Sequence, residues 1–367
     1  MKSIAFVAYD FSVIGGVESV SCSLANRFCE LYDVHFISIC QTGELIYNLN
    51  PNISYSTLFG DQKLRLREYR LRAKNSLINY IENNEIDIVI LEGNYAGFIG
   101  SVLKGKVSAK ILFCDHGALS NSWWSIGSSF NDKIITLIRL ISVIKSDAVV
   151  TLTEQSKMDY QKRLHIRENK VYCIPNWIED NICKSDGYNK ESKRIISAGR
   201  FVEEKGFDQL IKAFAPIAKK HPDWSLDIYG DGELADDLKN LVISCGLQNQ
   251  VFFPGMVNNL LDRYKDYAMY VMPSHKEGLP LVLLEAKANF LPIISFDILT
   301  GPREIISDNI DGILVQEKDI NALTEAMELL IDNSDLRIKM SSNSQLNIDK
   351  FSKDVVLKKW LQLFESI

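Results

Sequence analysis

Short apolar segments alternate with longer amphipathic ones along almost the whole chain. Runs of four to seven apolar residues are typical of strands that are buried on both faces, and apolar positions at helical spacing fill most of the gaps between them. The predicted strands lie near residues 3–8, 34–39, 86–91, 110–114, 147–151, 171–174, 194–198, 225–229, 251–253, 269–272, 292–296 and 312–315. This alternation predicts an α/β protein with doubly wound parallel sheets.

Length and composition extend this picture to two soluble domains. At 367 residues the chain exceeds one ordinary hydrophobic core, and its 46% apolar and 24% charged residues are typical of a globular protein. Seven cysteines without a Cys-x-x-Cys pair argue against a disulfide framework and a zinc site. A net charge of −6 without a known binding motif argues against a nucleic-acid partner.

The chain also lacks the signals of export and membrane insertion. Its start, Met1-Lys2-Ser3-Ile4, leads directly into a predicted core strand, and it contains no apolar run of about 18 residues. We therefore expect a cytoplasmic protein, either free or attached to the cytosolic face of a membrane.

Two segments of the first half are candidates for such an attachment. Residues 63–74 carry six Lys and Arg side chains interleaved with leucines, and they form either a surface for an anionic leaflet or an ordinary solvated helix face. Residues 133–145 carry apolar side chains around most of a helix's circumference, and for these we favour a buried core helix.

Two carboxylates stand out in the second half of the chain. Glu277 precedes a glycine and a proline, as in a loop, and Glu285 follows eight positions later in an apolar segment that predicts the first turns of a helix. Carboxylates suit a polyhydroxylated ligand, because its hydroxyl groups need anionic acceptors at fixed positions. The spacing alone is weak support, since Glu317 and Glu325 repeat it.

Upstream of this segment, two cations follow a short apolar strand. Gly199 and Arg200 end the strand, and Lys205 and Gly206 precede an amphipathic helix. The carboxyl end of a parallel strand is the usual ligand edge of an open α/β sheet. A guanidinium and an ammonium together suit a diphosphate. The alternative, two solvated loop cations, accounts less well for the flanking glycines and the downstream glutamate loop.

The two segments together resemble the donor site of a known enzyme family. It comprises the retaining, nucleotide-sugar-dependent glycosyltransferases of the GT-B fold, family 4 type, which have two facing Rossmann-like domains. The resemblance extends over nearly the whole chain. Further matching segments are Gly15-Gly16-Val17-Glu18, Cys114-Asp115-His116-Gly117, Ile174-Pro175-Asn176, Phe296-Asp297, Thr300 to Ile306 and Asp311 to Val315.

The resemblance implies a domain organisation. It implies an amino-terminal acceptor-binding domain, residues 1–176, and a carboxy-terminal donor-binding domain, residues 177–349, with the donor in the cleft between them. The hinge is expected near residues 176–190. The terminal helix, within residues 350–367, is expected to cross back to the first domain.

Site residues are carried over from the family at matching positions. Glu285 is expected to bind the ribose and Glu277 the transferred sugar, while Arg200 and Lys205 meet the diphosphate. His116 is expected to face the sugar from the first domain; the alternative is a hydrogen-bonded polar residue at a strand end. The other expected donor-binding residues are Gly15, Gly16, Gly199, Met256, Gly278, Leu279, Leu281 and Val282.

The chemistry of the reaction agrees with these residue types. Cleavage of the anomeric C–O bond leaves negative charge on the diphosphate, which cations and helix amino ends can meet without a metal. The chain contains no Asp-x-Asp sequence, and we interpret Asp227 and Asp231 as loop carboxylates, not ligands. We therefore expect no metal and no cofactor, the nucleotide sugar being a co-substrate. The resemblance implies retention of the anomeric configuration.

Donor and acceptor are predicted from the same resemblance. The run Thr300 to Glu304 is similar to that of bacterial enzymes that build surface polysaccharides from UDP-hexoses or UDP-N-acetylhexosamines. We expect a UDP-sugar and a glycan acceptor carried on a polyprenyl diphosphate lipid. Trp123 and Trp124 could form a stacking wall for a sugar, or ordinary packing.

Three alternatives to this function remain. One is a GDP-mannose-dependent mannosyltransferase of the same fold. A nucleotide-sugar epimerase would need further acid and base residues that the sequence does not identify. A non-catalytic sugar-nucleotide-binding scaffold would be expected to have lost Arg200, Lys205, Glu277 or Glu285, and all four are present.

Overall fold

The chain folds into two compact units. The computed structural model describes residues 1–13, 15–60, 66–117, 119, 130–179, 187–257 and 260–367, and only the backbone of residues 66, 67, 69, 70 and 130–132. The first unit comprises Met1–Pro175 and Lys359–Ile367, and the second unit comprises Asn176–Lys358. This division lies next to the expected boundary at residues 176 and 177. The returning segment, expected from residue 350, begins at Lys359.

The first unit contains a seven-stranded parallel sheet. Its strands are β1 (Ser3–Ala8), β2 (Asp33–Ser38), β3 (Ser54–Thr57), β4 (Ile88–Glu92), β5 (Lys110–Asp115), β6 (Ala148–Thr151) and β7 (Val171–Cys173). Its helices are α1 (Gly16–Phe28), α2 (Leu66–Asn83), α3 (Gly93–Gly100), α4 (Phe130–Lys145) and α5 (Glu154–Arg163). The strand order β3-β2-β1-β4-β5-β6-β7 reverses between β1 and β4. The crevice at such a reversal is where open α/β sheets bind ligands.

The second unit contains a six-stranded parallel sheet. Its strands are β8 (Arg194–Ala198), β9 (Ser225–Tyr229), β10 (Val251–Gly255), β11 (Met269–Met272), β12 (Ile293–Asp297) and β13 (Gly312–Gln316). Its helices are α6 (Phe207–Lys220), α7 (Ala235–Ser244), α8 (Leu260–Arg263), α9 (Leu281–Ala288), α10 (Pro302–Ile305), α11 (Ile320–Asp332) and α12 (Ser334–Asn343), and α13 (Lys353–Ser366) ends the chain. The order β10-β9-β8-β11-β12-β13 reverses between β8 and β11.

The predicted α/β architecture is confirmed. All twelve predicted strands occur, with limits that differ from the prediction by at most two residues. The structure contains one further strand, β3, which the sequence analysis did not predict. Its residues, Ser54 to Thr57, are polar apart from Tyr55 and lie at the edge of the sheet beside β2. An edge strand of this kind has no apolar run to identify it.

The hydrophobic pattern places each helix against its sheet, as α6 illustrates. Its apolar residues recur at helical spacing, and its five large ones are almost completely buried in the core of the second unit: Phe207, Leu210, Ile211, Phe214 and Ile217. Each large apolar side chain buried in this way contributes about 1.5–3 kcal/mol. Lys219 and Lys220 lie in the last turn of the helix, where cations interact favourably with its dipole.

The predicted return of the terminal helix to the first domain is confirmed for its last residues. Trp360 and Phe364 are buried in the first unit and pack edge-on against Phe28 of α1, with ring centroids 6.1 and 5.4 Å apart. The first turns of α13, up to Lys358, belong to the second unit, in which the Ile178 N–H also donates to the Phe351 carbonyl over 2.8 Å.

The interpretation of residues 133–145 as a buried core helix is wrong for one face of α4. Ile138 and Val143 are buried, whereas Ile134, Leu137 and Ile144 are 41, 51 and 57% exposed. Helix α4 packs against α3 and β5, which cover only part of its circumference. In the described part of the chain, no helix combines the length and the apolar character that crossing a bilayer requires.

Candidate active site

The loops that follow β8 and β11 leave the second sheet side by side at the strand-order reversal. They touch at Gly206, which has a φ of +63° and precedes α6. A Cβ atom on Gly206 would lie 2.3 Å from the carbonyl oxygen of Pro273. Only glycine fits this backbone conformation and this contact. The sequence therefore brings residues 199–206 and 273–280 together.

The contact between the loops brings Lys205 and Glu277 together. The ammonium Nζ of Lys205 donates to Oε1 of Glu277 over 2.5 Å, and their side chains are 22 and 11% exposed. The Thr300 hydroxyl donates to the Glu277 carbonyl over 2.7 Å. Gly301, with a φ of +98°, packs so closely that a Cβ atom would lie 2.8 Å from the Gly278 carbonyl. The Glu277 loop is thus held both by Lys205 and by the segment that contains Thr300 and Gly301.

Arg200 lies in the first of these loops, close to Lys205 in sequence. Its side chain is exposed and has no hydrogen bond or ion pair with the described residues, so its charge is available to a ligand. The preceding Gly199 is half-buried, and its N–H donates to the Tyr229 carbonyl over 2.9 Å. A Cβ atom on Gly230 would lie 1.9 Å from the Gly199 carbonyl, which makes this edge of β8 a close backbone contact.

Glu285 lies in α9 and is held by a tyrosine that the sequence analysis did not identify. The hydroxyl of Tyr264, a fully buried residue, donates to Oε2 of Glu285 over 2.9 Å. Burial raises the pKa of Glu285, and the hydrogen bond from Tyr264 opposes this rise. The half-buried carboxylate of Glu285 accepts one hydrogen bond and keeps further acceptor sites for a pair of hydroxyl groups.

The two ends of α9 are fixed differently. At its carboxyl end, Lys287 and Asp311 form a buried ion pair over 2.5 Å, with side chains 2 and 1% exposed. At its amino end, the half-buried Leu281 and Val282 begin the helix after Pro280. The first N–H groups of a helix have no intrahelical acceptor and can receive an anion.

The remaining donor-site candidates of the second unit differ in exposure. Gly278 is half-buried, whereas Leu279 is buried and its carbonyl accepts from the Asn176 amide over 3.5 Å. Met256 is 65% exposed and follows Gly255, which has a φ of +81° and ends β10. The side chain of Met256 is therefore open to a ligand, whereas that of Leu279 is not.

Asp227 is not the loop carboxylate that the sequence analysis predicted. It lies within β9, is 2% exposed, and accepts a hydrogen bond from the Tyr267 hydroxyl over 2.6 Å. Arg194 also pairs with it. Asp231 is exposed after the strand, as expected.

In the first unit, Gly15 and Gly16 lie at the start of α1. The Gly15 N–H donates to the Tyr47 hydroxyl over 3.0 Å, and this hydroxyl lies 3.0 Å from the Gly15 carbonyl, to which it donates. The N–H group of Gly15, which we expected to meet the ligand, is thus already engaged. Gly16 is exposed at the first position of the 13-residue helix.

His116 follows β5 and has a carboxylate partner that the sequence analysis did not identify. Its Nε2 atom lies 2.6 Å from Oε2 of Glu92, the last residue of the neighbouring strand β4. Burial alone would lower the pKa of His116, but Glu92, with smaller contributions from Asp115 and Glu18, raises it above its ordinary value.

Asp115, the residue before His116, is held by a separate set of partners. Its carboxylate accepts from the Tyr160 hydroxyl over 2.5 Å and from the Gly117 N–H over 3.1 Å, and it pairs with Arg139 over 3.2 Å. Tyr160 and Arg139 are 0 and 4% exposed. This buried network fixes the turn that carries His116.

Some sequence predictions fall outside the part of the chain that the structure describes. Trp123 and Trp124 lie outside it, as do residues 63–65 of the basic segment and residues 180–186 of the expected hinge. Within the described ranges, no group of three or more His, Cys, Asp and Glu residues has an arrangement that could hold a metal ion.

Comparison with protein families matches both units. A family described as Glycosyl transferases group 1 matches residues 179–347, and Glycosyltransferase Family 4 matches residues 14–181. An uncharacterized glycosyltransferase of Haemophilus influenzae is 29% identical over 365 residues, which cover 98% of this chain and 99% of that protein.

A relative of named activity and a solved structure extend the likeness. The Campylobacter jejuni protein is named as an α-1,4-N-acetyl-D-galactosaminyltransferase acting on a GalNAc-containing undecaprenyl diphosphate glycan; it is 25% identical, covering 100% of this chain and 99% of that protein. The crystal structure of a mutant of Staphylococcus aureus TarM with Fondaparinux, α-GlcNAc-glycerol and UDP has a TM-score of 0.82. It is 16% identical, with 99% of this chain and 100% of that chain covered.

Proposed function

This chain belongs to the family 4 type of glycosyltransferases with the GT-B fold, and we propose that it transfers a hexose or an N-acetylhexosamine from a UDP-sugar. The acceptor in this proposal is a glycan on a polyprenyl diphosphate lipid, and the anomeric configuration is retained. The observation that carries the proposal is the pairing of Lys205 with Glu277, which joins the loop that also carries Arg200 to the Glu277 loop at the strand-order reversal of the second sheet.

Each donor group has a matching side chain in this proposal. Arg200 and Lys205 meet the diphosphate, whose negative charge grows as the anomeric bond breaks. Glu277 accepts from the sugar, and Glu285, held by Tyr264, accepts from the ribose hydroxyls. His116 contacts the transferred sugar. The attraction between these cations and the diphosphate increases as negative charge develops on it. Lys205 and Arg200 therefore stabilise the transition state more than the ground state.

UDP is favoured over GDP by the relatives. The S. aureus structure contains UDP, and the Campylobacter relative is named for transfer of an N-acetylhexosamine to a lipid-linked glycan. GDP-mannose is the rival donor for an enzyme of the same fold.

A thermal-stability panel of nucleotide sugars tests the donor. A ligand at 100 times its dissociation constant stabilises the folded state by about 2.7 kcal/mol, so the donor should raise Tm clearly. We expect UDP and one UDP-sugar to do so, and transfer of the labelled sugar to a lipid-linked glycan to follow. Stabilisation by GDP and GDP-mannose alone would identify a mannosyltransferase. Binding without transfer to any lipid-linked glycan would identify a scaffold.

We also propose that no metal takes part in the transfer. The support is that Arg200, Lys205 and the amino end of α9 offer enough positive character for a diphosphate. Activity should therefore persist in EDTA. Complete loss in EDTA, restored by Mn²⁺ or Mg²⁺, would contradict this part of the proposal.

A location at the inner face of a membrane would suit a lipid-linked acceptor. The described part of the basic segment belongs to α2, where Leu71 is 68% exposed and Arg72 and Lys74 are also exposed. We propose that this face of α2, defined as Leu71, Arg72 and Lys74, contacts anionic lipid headgroups.

A further inference from the structure

Glu92 is a buried carboxylate whose position follows from the strand register. It ends β4 and pairs in the parallel ladder with Cys114 of β5, two residues before His116. The residue is 4% exposed and its side chain is completely buried. The carboxyl edge of the sheet therefore carries a carboxylate directly beneath the histidine that follows the next strand.

His116 is the partner that compensates the charge of Glu92. Oε2 of Glu92 lies 2.6 Å from Nε2 of His116, and Oε1 is buried without a hydrogen-bond partner among the described residues. The neighbouring Asp115 does not compete for the imidazole, because Tyr160 and Arg139 engage its carboxylate. A buried carboxylate without compensation is costly, so Glu92 and His116 are expected to form a charged pair.

This pairing decides which edge of the imidazole a ligand can meet. A carboxylate accepts hydrogen bonds, so Nε2 of His116 carries a proton and donates it to Glu92. Only Nδ1 then remains to contact a substrate. In the imidazolium form Nδ1 also carries a proton, so it can donate to a sugar or phosphate oxygen but cannot accept a proton.

We propose that Glu92 is a positioning residue that fixes His116 through Nε2 and keeps it as a cationic donor, so that the ring presents Nδ1–H to the substrate. This role rests on the proposed glycosyl transfer. It assigns to His116 the task of a hydrogen-bond donor and not that of a general base. The hydrogen bond that one ring nitrogen of a histidine makes commonly sets the protonation and orientation of the ring in this way.

The groups around the pair give the direction of its pH dependence. They are Glu18 of α1, Cys114 and Asp115 of β5, Arg139 of α4 and Tyr160 of α5. Burial lowers the pKa of His116, but Glu92, Asp115 and Glu18 raise it to a net value above normal. A donor role then requires the cation, which is present below the raised pKa and is lost as pH rises through it.

The test combines ring NMR with kinetics of Glu92→Gln. In the wild-type protein, ¹⁵N-labelled imidazole spectra should show His116 protonated at Nε2 at all pH values studied, with Nδ1 titrating. Among the five histidines, His116 is assigned by the signal missing in His116→Gln. In Glu92→Gln the titration, and the alkaline loss of kcat/KM, should both move to lower pH. At neutral pH, kcat/KM should fall by about 10- to 100-fold, as for loss of a charged hydrogen bond.

A double-mutant cycle separates positioning from a merely structural role. If Glu92 acts through His116, Glu92→Gln should change kcat/KM little in the His116→Gln background. Glu82→Gln, a change of an exposed glutamate in α2, is the matched control and should leave the profile unchanged. The wild-type ring spectra keep the test decisive even if Glu92→Gln does not fold.

Three results would overturn the role of Glu92: a proton on Nδ1 alone in neutral His116, an unchanged His116 titration in Glu92→Gln, or a full loss of activity that persists in the His116→Gln background. The NMR measurement needs no substrate, so it supports or overturns the pairing by itself. Failure of every nucleotide sugar to react would instead overturn the proposed function.

Discussion

At the scale of single residues, Lys205 and Glu277 cannot be treated as independent groups. Nζ of Lys205 donates to Oε1 of Glu277 over 2.5 Å, although Lys205 is proposed to meet the diphosphate and Glu277 the sugar. A donor that binds here must therefore share or replace this ion pair. Each replacement also alters the surroundings of its partner.

This coupling predicts non-additive kinetics. Lys205→Ala and Glu277→Gln should each lower kcat/KM, and the double variant should lose less than the two single losses combined. The expected coupling energy is about 0.5–3 kcal/mol, as for other residues in direct contact. The measurement is kcat/KM for the wild type and the three variants. Strictly additive losses of kcat/KM would show that the ion pair is already broken before the transition state is reached.

The two glutamates should differ in the ligand that reports their loss. Glu285→Gln should weaken UDP binding and raise KM, because the ribose is held alike in the ground and transition states. Glu277→Gln should lower kcat by about 10- to 150-fold, as for loss of a charged hydrogen bond near the reacting ring. UDP contains the ribose but not the transferred sugar, so calorimetry with UDP should detect a larger loss of affinity in Glu285→Gln than in Glu277→Gln. The reverse pattern would mean that the two roles are exchanged.

At the scale of elements, α9 carries Glu285 and is anchored by the buried pair of Lys287 and Asp311. Burial lowers the pKa of Lys287, and Asp311 opposes this change. The Ser307 N–H also donates to Asp311 over 2.9 Å. The pair therefore ties the helix to the loop before β13.

Breaking this pair should destabilise the second unit. Lys287→Met leaves Asp311 buried without its cation, which typically costs about 3–5 kcal/mol. The double variant Lys287→Met/Asp311→Asn should recover part of that loss, because the asparagine oxygen still accepts from Ser307. Urea unfolding of the three proteins measures both effects. A double variant no more stable than Lys287→Met would contradict the account.

The elements also show what the sequence could predict and what it could not. Apolar runs identified twelve strands, because buried parallel strands are apolar on both faces. The polar edge strand β3 has no such run, and the circumference of α4 looked buried although only one stripe of it packs. Arg200, Lys205, Glu277 and Glu285 were predicted as site residues from two family motifs, each of which is local in sequence.

The partners of these residues could not be predicted in the same way. Glu92 and Tyr264 reach the site through strand register and tertiary packing, which join positions 24 and 21 residues apart. The one available signal for Glu92 was its place directly after a predicted strand, at the same sheet edge as His116.

At the scale of the whole molecule, we expect binding to anionic membranes through α2, because the proposed acceptor is carried on a membrane lipid. The variant Leu71→Glu/Lys74→Glu should bind vesicles containing anionic lipid less well than the wild type, because it removes an apolar anchor and a cation worth about 1 kcal/mol. Binding should also weaken at high salt. Vesicle flotation measures both effects.

The matched control makes the same exchange in the second unit, where Leu329 and Lys219 are exposed. Leu329→Glu/Lys219→Glu should bind vesicles as the wild type does. Equal loss in the two variants would mean that net charge alone governs binding, and no loss in either would place the contact elsewhere.

The contact between Gly206 and the Pro273 carbonyl restricts how donor preference can be transplanted between relatives. A chimera that receives residues 199–206 from a protein with any side chain at position 206 would force that side chain into the backbone of the other loop. The smallest segment pair that can be exchanged between relatives is therefore both loops together, residues 199–206 with residues 273–280. Recombination libraries with a crossover between these loops should be enriched in inactive clones unless both parents have glycine at that position.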